Sequence, residues 1–135
     1  MKDMTAALII RKQDNRILLV HNTKHNGLRI EPPGGKREGD EDLESCIVRE
    51  VREELNIGIK PTRLFGIYET NSPEGKFRVY MYWARVVSGE PRVLEPDKIS
   101  AFGWYNLTDI EKFQDEGVLV PNLVSALNDL RKYLR

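Results

Sequence analysis

The sequence predicts an α/β sandwich in one domain, on three observations. Apolar runs of strand length recur at residues 6–10, 17–20, 63–69, 76–87 and 101–106. Two stretches instead carry an apolar stripe at helical spacing, Ile47, Val51 and Leu55 in one and Leu123, Leu127, Leu130 and Leu134 in the other. No repeat, low-complexity tract or linker divides the chain, so residues 1–135 form a single domain. Strands and helices mixed around one sheet pack as layers. A chain of 135 residues is long enough to bury roughly two-thirds of its unfolded surface in that way.

The elements follow in order. Residues 6–10 and 17–20 read as paired strands, with the polar Gln13, Asp14 and Asn15 as their hairpin connection. Residues 21–27 (HNTKHNG) read as a polar loop, and 28–31 as a short extended segment ended by Pro32 and Pro33. The glycine pair Gly34–Gly35 leads to a helix over 43–55, capped by Asp42. Residues 63–69 form a strand and 70–75 (TNSPEG) a turn-rich loop. The strand over 76–87 has apolar residues on both alternating faces, which places it centrally in a sheet covered on both sides. Ser88–Gly89 breaks it, 101–106 is the last strand, and a closing amphipathic helix carries the leucine stripe with Asn122 as its cap.

Charge and cysteine content narrow the function classes. Lys plus Arg and Asp plus Glu both total 21, so the formal net charge is zero. Neither a nucleic-acid polymer nor a membrane surface is the expected partner, since no block of consecutive positive charge appears. Cys46 is the single cysteine, which fits a reducing compartment and a cytoplasmic setting. It reads as a small helix-packing residue rather than a nucleophile. The opening MKDMTAALIIRK has too short an apolar run for a signal peptide or a membrane span.

The helix over 43–55 carries the chemistry. Glu50, Glu53 and Glu54 lie three and four residues apart, so they project as neighbours from one side. Like charges at this spacing repel by about 0.2–0.5 kcal/mol per pair. They also sit at the carboxyl end, where the helix dipole makes each anion cost about 0.3–1 kcal/mol. A hard divalent cation turns that penalty into attraction, because Mg²⁺ is held by one or two carboxylates together with waters and substrate phosphates. Taken alone, the cluster also reads as a solvated acidic face with Arg49 and Arg52 as counterions.

The full spacing decides between the two. From Gly35, five residues lead to Glu41, and seven more lead to Arg49-Glu50, Val51, Arg52 and Glu53-Glu54. This resembles the signature of the Nudix hydrolases: a glycine, an early glutamate and an R-E-(aliphatic)-x-E-E core in register. One position departs, for the family's late glycine falls on Asn56. Asparagine is the residue other than glycine that most readily takes the left-handed geometry ending a helix.

The resemblance implies a mixed sheet between helices and the cleavage of a nucleoside diphosphate linked to another group. It implies Mg²⁺, with Mn²⁺ as a possible substitute, held by Glu53 and Glu54. Glu50 would be a further ligand or the base, and the Gly34 carbonyl would join the shell. Arg49 would orient the glutamates, and Glu41 would tie the glycine loop to the helix. Lys36 is placed to meet a phosphate, or is an ordinary exposed lysine. The segment LEPDKISAFGW resembles the approach to the final strand in the MutT-like, triphosphate-cleaving branch. It makes Glu95 the first candidate for a further acid and Asp97 the second. Where that branch tends to carry arginine, His21 and Asn22 stand here, and Lys24, Arg29 or Arg78 could substitute. The two histidines, His21 and His25, read as loop residues, since Mg²⁺ prefers oxygen. Tyr68, Tyr80, Tyr82, Trp83 and Trp104 could stack on a base or belong to the core. Ser72-Pro73-Glu74-Gly75 resembles a feature of Nudix enzymes that split ADP-ribose, and is equally a plain turn.

The reading that results is a pyrophosphohydrolase acting on a small-molecule nucleoside triphosphate, oxidised or non-standard ones included. An ADP-ribose pyrophosphatase and a non-catalytic nucleotide sensor are its alternatives. Monomer and homodimer both remain open.

Overall fold

The computed structural model describes residues 1–24, 27–72 and 74–134. Along them run β1 (Lys2–Arg11), β2 (Arg16–Asn22), β3 (Arg29–Glu31), β4 (Gly34–Lys36), α1 (Leu43–Leu55), β5 (Gly58–Ser72), β6 (Gly75–Ser88), β7 (Ile99–Tyr105), α2 (Leu107–Asp115) and α3 (Pro121–Leu130). The strands form one mixed sheet in the order β3-β2-β1-β6-β5, with β4 added to β1 and β7 to β2. Only the β1–β6 pair is parallel among the described strands. No helix among the described residues is long and apolar enough to cross a membrane.

The sheet opens where the site lies. β1 pairs with β2 only at Ile10–Ile17 and Arg11–Arg16, beside the hairpin. Beyond that point the two strands part, and the glycine segment enters the gap. Ala7 N–H donates to the Pro33 carbonyl at 2.8 Å. Then Gly34, Gly35 and Lys36 pair as β4 with Ala6, Thr5 and Met4. β2 continues away, bordered by β3 on one edge and β7 on the other. The sequence's glycine loop is thus a stretch of sheet.

Alternation along the strands builds two cores. Leu8, Ile17, Leu19, Val79 and Met81 face α2 and α3, where Ile110, Leu123 and Leu127 meet them. Ala7, Ile9, Leu18 and Val20 face α1 through Ile47, Val51 and Leu55. Those three α1 residues are fully buried. Burial of each such side chain stabilises by about 1.5–3 kcal/mol. That exceeds the ~0.2–0.5 kcal/mol repulsion of each carboxylate pair on the same helix. Packing, not propensity, holds the acidic helix in place.

α1 matches the expected span. Asp42 accepts from Ser45 N–H at 2.8 Å as its cap. Asn56 ends it in the left-handed region, φ 60°, with its N–H on the Arg52 carbonyl. β6 is central and covered on both faces, with Phe77, Val79 and Met81 in one core and Tyr82, Ala84 and Val86 against the other.

Five expectations need correction. His21 and Asn22 belong to β2 rather than to a loop, because they pair with β3 and β7. The turn-rich loop shrinks, since β5 runs through Ser72 and β6 starts at Gly75. A helix not expected, α2, follows the last strand, and Asn106 caps it reciprocally with Asp109. Asn122 is not the cap of α3. Pro121 takes the first helical position, Val120 precedes it, and Asn122 is buried within the first turn. Leu134 lies beyond that helix yet is buried.

Candidate active site

Arg49 is the hub of the glycine segment and α1. Its Nη2 and Nε donate to the two Glu41 oxygens at 2.6 and 3.1 Å. Its Nη1 donates to Glu50 at 3.0 Å and Glu53 at 3.2 Å, and Nη2 reaches the Lys36 carbonyl at 3.3 Å. This bidentate hold, with a backbone bond from Glu38, keeps the Glu41 carboxyl down at about 2. Glu41 ties the glycine segment to the helix through Arg49, as the resemblance implied.

The two glycines admit close approach. A Cβ on Gly34, whose φ is 155°, would lie 2.1 Å from the Thr5 carbonyl oxygen. One on Gly35 would lie 2.4 Å from the Glu50 carboxyl carbon. Glycine at these positions lets β4 enter the sheet and lets the Glu50 carboxylate lie flat against it. Cys46 is fully buried, with Sγ 3.5 Å from the Thr5 hydroxyl and its thiol pushed up by burial. It is a packing residue under that contact.

The three helix acids differ sharply in surroundings. The Glu53 side chain is half exposed. Burial raises the Glu50 carboxyl, against the opposing pull of Arg49. Glu54 is buried to 2 % exposure and is pushed up to about 7, chiefly by desolvation. Gly34 N–H donates to its Oε1 at 3.1 Å and Lys98 Nζ to its Oε2 at 2.7 Å. Lys98 is half-buried; that burial works against its charge, but Glu54, Glu50 and Glu95 keep it raised.

Glu95 reaches the same neighbourhood by backbone pairing. Leu94 N–H donates to the Glu54 carbonyl and Arg92 N–H to the Leu55 carbonyl, both at 3.0 Å. These bonds fasten the segment to the end of α1. Asp97 is exposed in the turn that follows. Among the described residues, no group of three acids, histidines or cysteines forms a ready ligand set. Arg49 and Lys98 hold the carboxylates instead.

The remaining basic candidates separate. Lys36 pairs with Glu74 and lies over the Phe77 ring at 5.7 Å. Arg29 stands beside Glu31, Nε to Oε2 3.5 Å. Lys24 is exposed, its N–H on the Asn22 side chain, next to Thr23, whose N–H meets the Lys98 carbonyl. Arg78 is exposed on β6 and associates with Tyr80. His21 bonds the Tyr105 hydroxyl at 2.6 Å, and burial lowers it. His25 and Pro73 lie outside the described residues.

A cavity of about 440 Å³ adjoins the glycine segment, walled by Arg29, Glu31, Lys36, Phe77 and Asn122 among others. Two buried side-chain atoms among the described residues lack a hydrogen-bond partner, Arg29 Nε and Asn122 Oδ1. Both belong to residues lining this cavity. None of Tyr68, Tyr80, Tyr82, Trp83 or Trp104 lines it. Phe77 supplies its aromatic surface.

The NUDIX domain model matches residues 1–123 of this chain. The chain belongs to the NUDIX domain family. It is 32% identical over 94 residues to the 8-oxo-dGTP diphosphatase of Escherichia coli (strain K12), covering 67% of this chain and 73% of that protein. It is 27% identical over 128 residues to the NAD-capped RNA hydrolase NudC of Vibrio atlanticus, covering 93% of this chain and 46% of that one. The chain spans about half or less of the length of the first curated relatives it matches. A NUDIX hydrolase from Nitrosomonas europaea superposes with a TM-score of 0.82 over 99% of this chain and 90% of that one, at 23% identity. This Nudix domain therefore shares the family's mixed sheet between helices.

The residues present fit a divalent cation. The donors are hard carboxylate oxygens and backbone carbonyls, which suit Mg²⁺ over softer metals. Among the described residues, the buried Glu54 charge has a lysine and one backbone N–H against it. Sequence reasoning passed over Lys98 and misplaced Asn122. Both lie within motifs it had singled out.

Proposed function

We propose that this chain is a Mg²⁺-dependent pyrophosphohydrolase cleaving a nucleoside triphosphate to the nucleoside monophosphate and pyrophosphate, with oxidised or non-standard bases among its substrates. The observation that carries the reading is the cavity beside the glycine segment. Arg29, whose Nε has a 3.5 Å ion-pair contact with Glu31 but no hydrogen bond, and Asn122, whose buried Oδ1 has no hydrogen-bond partner among the described residues, both line it. Its volume falls in the range of about 300–1,000 Å³ usual for small-molecule sites.

Glu50, Glu53, Glu54, Glu95 and the Gly34 carbonyl hold the metal, and Mn²⁺ substitutes for Mg²⁺. Bound there, the ion neutralises phosphate charge and lowers the pKa of a coordinated water. The protein's own groups do the positioning. Arg49 fixes Glu50 and Glu53 in place. Glu50 or Glu95 takes the proton of the attacking water. Lys36 and Arg29 meet the phosphates, with Lys24 beside the Lys98 segment as a further cation. Phe77 and Asn122 face the base, Asn122 offering its side-chain amide to the base edge. Phosphoryl transfer needs such positioning and charge neutralisation more than covalent chemistry.

A panel of nucleoside triphosphates and ADP-ribose, each with Mg²⁺, tests the reading by its products. Pyrophosphate release from at least one triphosphate is expected. AMP and ribose 5-phosphate from ADP-ribose alone would replace it with the ADP-ribose reading. Nucleotide binding without turnover would leave a sensor.

A further inference from the structure

Lys98 has no part in that scheme, yet among the described residues it makes the shortest ion pair to any acid of α1, 2.7 Å against 3.0 Å for Arg49–Glu50. Its Nζ lies 2.7 Å from Glu54 Oε2, and the other Glu54 oxygen accepts from Gly34 N–H. Both oxygens of a carboxylate that is 2 % exposed are thereby engaged. Resting on the reading of Glu54 as a metal ligand, we propose that Lys98 is a positioning residue that occupies the metal's place on Glu54, so that cation loading and Lys98 release are one event.

Several features point this way. An ammonium and a divalent ion cannot share one buried oxygen, since their mutual repulsion grows as the surroundings dry. A buried carboxylate without any cation is strongly disfavoured, so the metal-free protein needs a resident positive charge. Lysine suits that temporary duty, being a compact charge on a flexible four-carbon stem. The backbone of Lys98 is anchored, with its N–H on the Glu95 carbonyl at 3.0 Å and its carbonyl on Thr23 N–H at 2.9 Å. Its side chain retains 29 % exposure, which leaves the ammonium a route to solvent. Among the described residues Glu54 is the only acid within ion-pair distance of it.

Arg49 shows the contrast. It is locked by a bidentate bond to Glu41, outside the metal ligands, and so stays when a cation binds. Lys98 has no second ion pair among the described residues, and Glu50 and Glu95 act on it only from farther away. Once released, its ammonium remains within one side-chain length of Glu54, where the phosphates brought in with the metal offer the next negative charge.

Mn²⁺ titration followed by electron paramagnetic resonance tests this on the full chain without nucleotide, in the wild type and in Lys98→Met, Lys98→Arg and Glu53→Gln. Competition for one carboxylate is reciprocal, so removing the lysine charge tightens Mn²⁺ binding by about tenfold, within the usual 5–150-fold range of such coupling. Mn²⁺ also raises the melting temperature of Lys98→Met more than that of the wild type, whereas Lys98→Arg keeps wild-type or weaker binding. Lys98→Gln, which retains a donor toward Glu54, shows the same direction should the methionine variant not fold. Unchanged or weaker Mn²⁺ binding in the neutral variants, with Glu53→Gln impaired, overturns the inference alone and leaves Lys98 a structural counterion. Equal Mn²⁺ binding in wild type and Glu53→Gln, or none in either, overturns the metal-site reading beneath it.

Discussion

Glu54 gives the metal-free protein a distinctive dependence on pH. Burial pushes its carboxyl up to about 7, against partial relief from Lys98 and Gly34 N–H. An acid whose folded value exceeds its unfolded one binds its proton more tightly in the native state. Its contribution to stability is therefore full below about pH 4.5 and is lost as the pH rises to about 7. That interval of about 2.5 units corresponds to ~3 kcal/mol at 1.36 kcal/mol per unit. In a domain of this size, at roughly 3–5 °C per kcal/mol, the melting temperature falls by about 10 °C. Glu54→Gln keeps the shape and removes the titration. The assay is thermal unfolding in chelator from pH 5 to 8 for both proteins. The difference, wild type minus variant, should drop by about that amount across the range. His21, which burial lowers, acts with the opposite sign but is common to both proteins and cancels. Unpairing Lys98 shifts the variant by a constant offset while the lysine stays charged. Saturating Mg²⁺ should flatten the wild-type curve, because it holds the ionised form. Parallel curves for the two proteins in chelator would refute the idea that Glu54 is a desolvated, strained charge.

Further outcomes follow from the same geometry. Gly35→Ala places a Cβ 2.4 Å from the Glu50 carboxyl carbon, and displacing that carboxylate by about an ångström should lower kcat on the order of 10²-fold. Arg49→Lys loses the bidentate hold on Glu41; a double-mutant cycle with Glu41→Gln should show the two changes to be non-additive in kcat/KM by ~1 kcal/mol or more. Asn122→Ala should raise KM and blunt discrimination between bases by roughly 1–3 kcal/mol, measured as kcat/KM ratios across the panel. Asn56→Gly, at φ 60°, should stabilise by about 0.5–1 kcal/mol in urea unfolding with turnover unchanged.

What the sequence made legible was local. Asp42, the stripe at Ile47, Val51 and Leu55, and Asn56 are all neighbours of the helix they define, so start, face and end of α1 were readable. The fixed spacing from Gly35 to Glu54 exposed the acidic site for the same reason. α2 was missed although Asn106 and Asp109 form a reciprocal cap, because Asn106 was absorbed into the preceding strand. Asn122 looked like a cap because asparagine favours that role, but Pro121 beside it already fixes the helix start. Lys98 was invisible as a site residue, since its meaning depends on Glu54, 44 residues away in sequence. The cavity was equally hidden. Its walls come from β1, β3, β4, β5, β6 and the start of α3, and no single stretch of chain encodes it.

The entry of Gly34–Lys36 between β1 and β2 as a strand bears on how such a protein diversifies. A segment stitched into a sheet is held by its ladder more firmly than a free loop, so the floor beside the acidic helix is stiff. Part of the neighbouring cavity wall, a three-residue strand edge and one helix tip, is cheap to rebuild. New ligand preferences can arise there while the sheet-bound floor keeps its form.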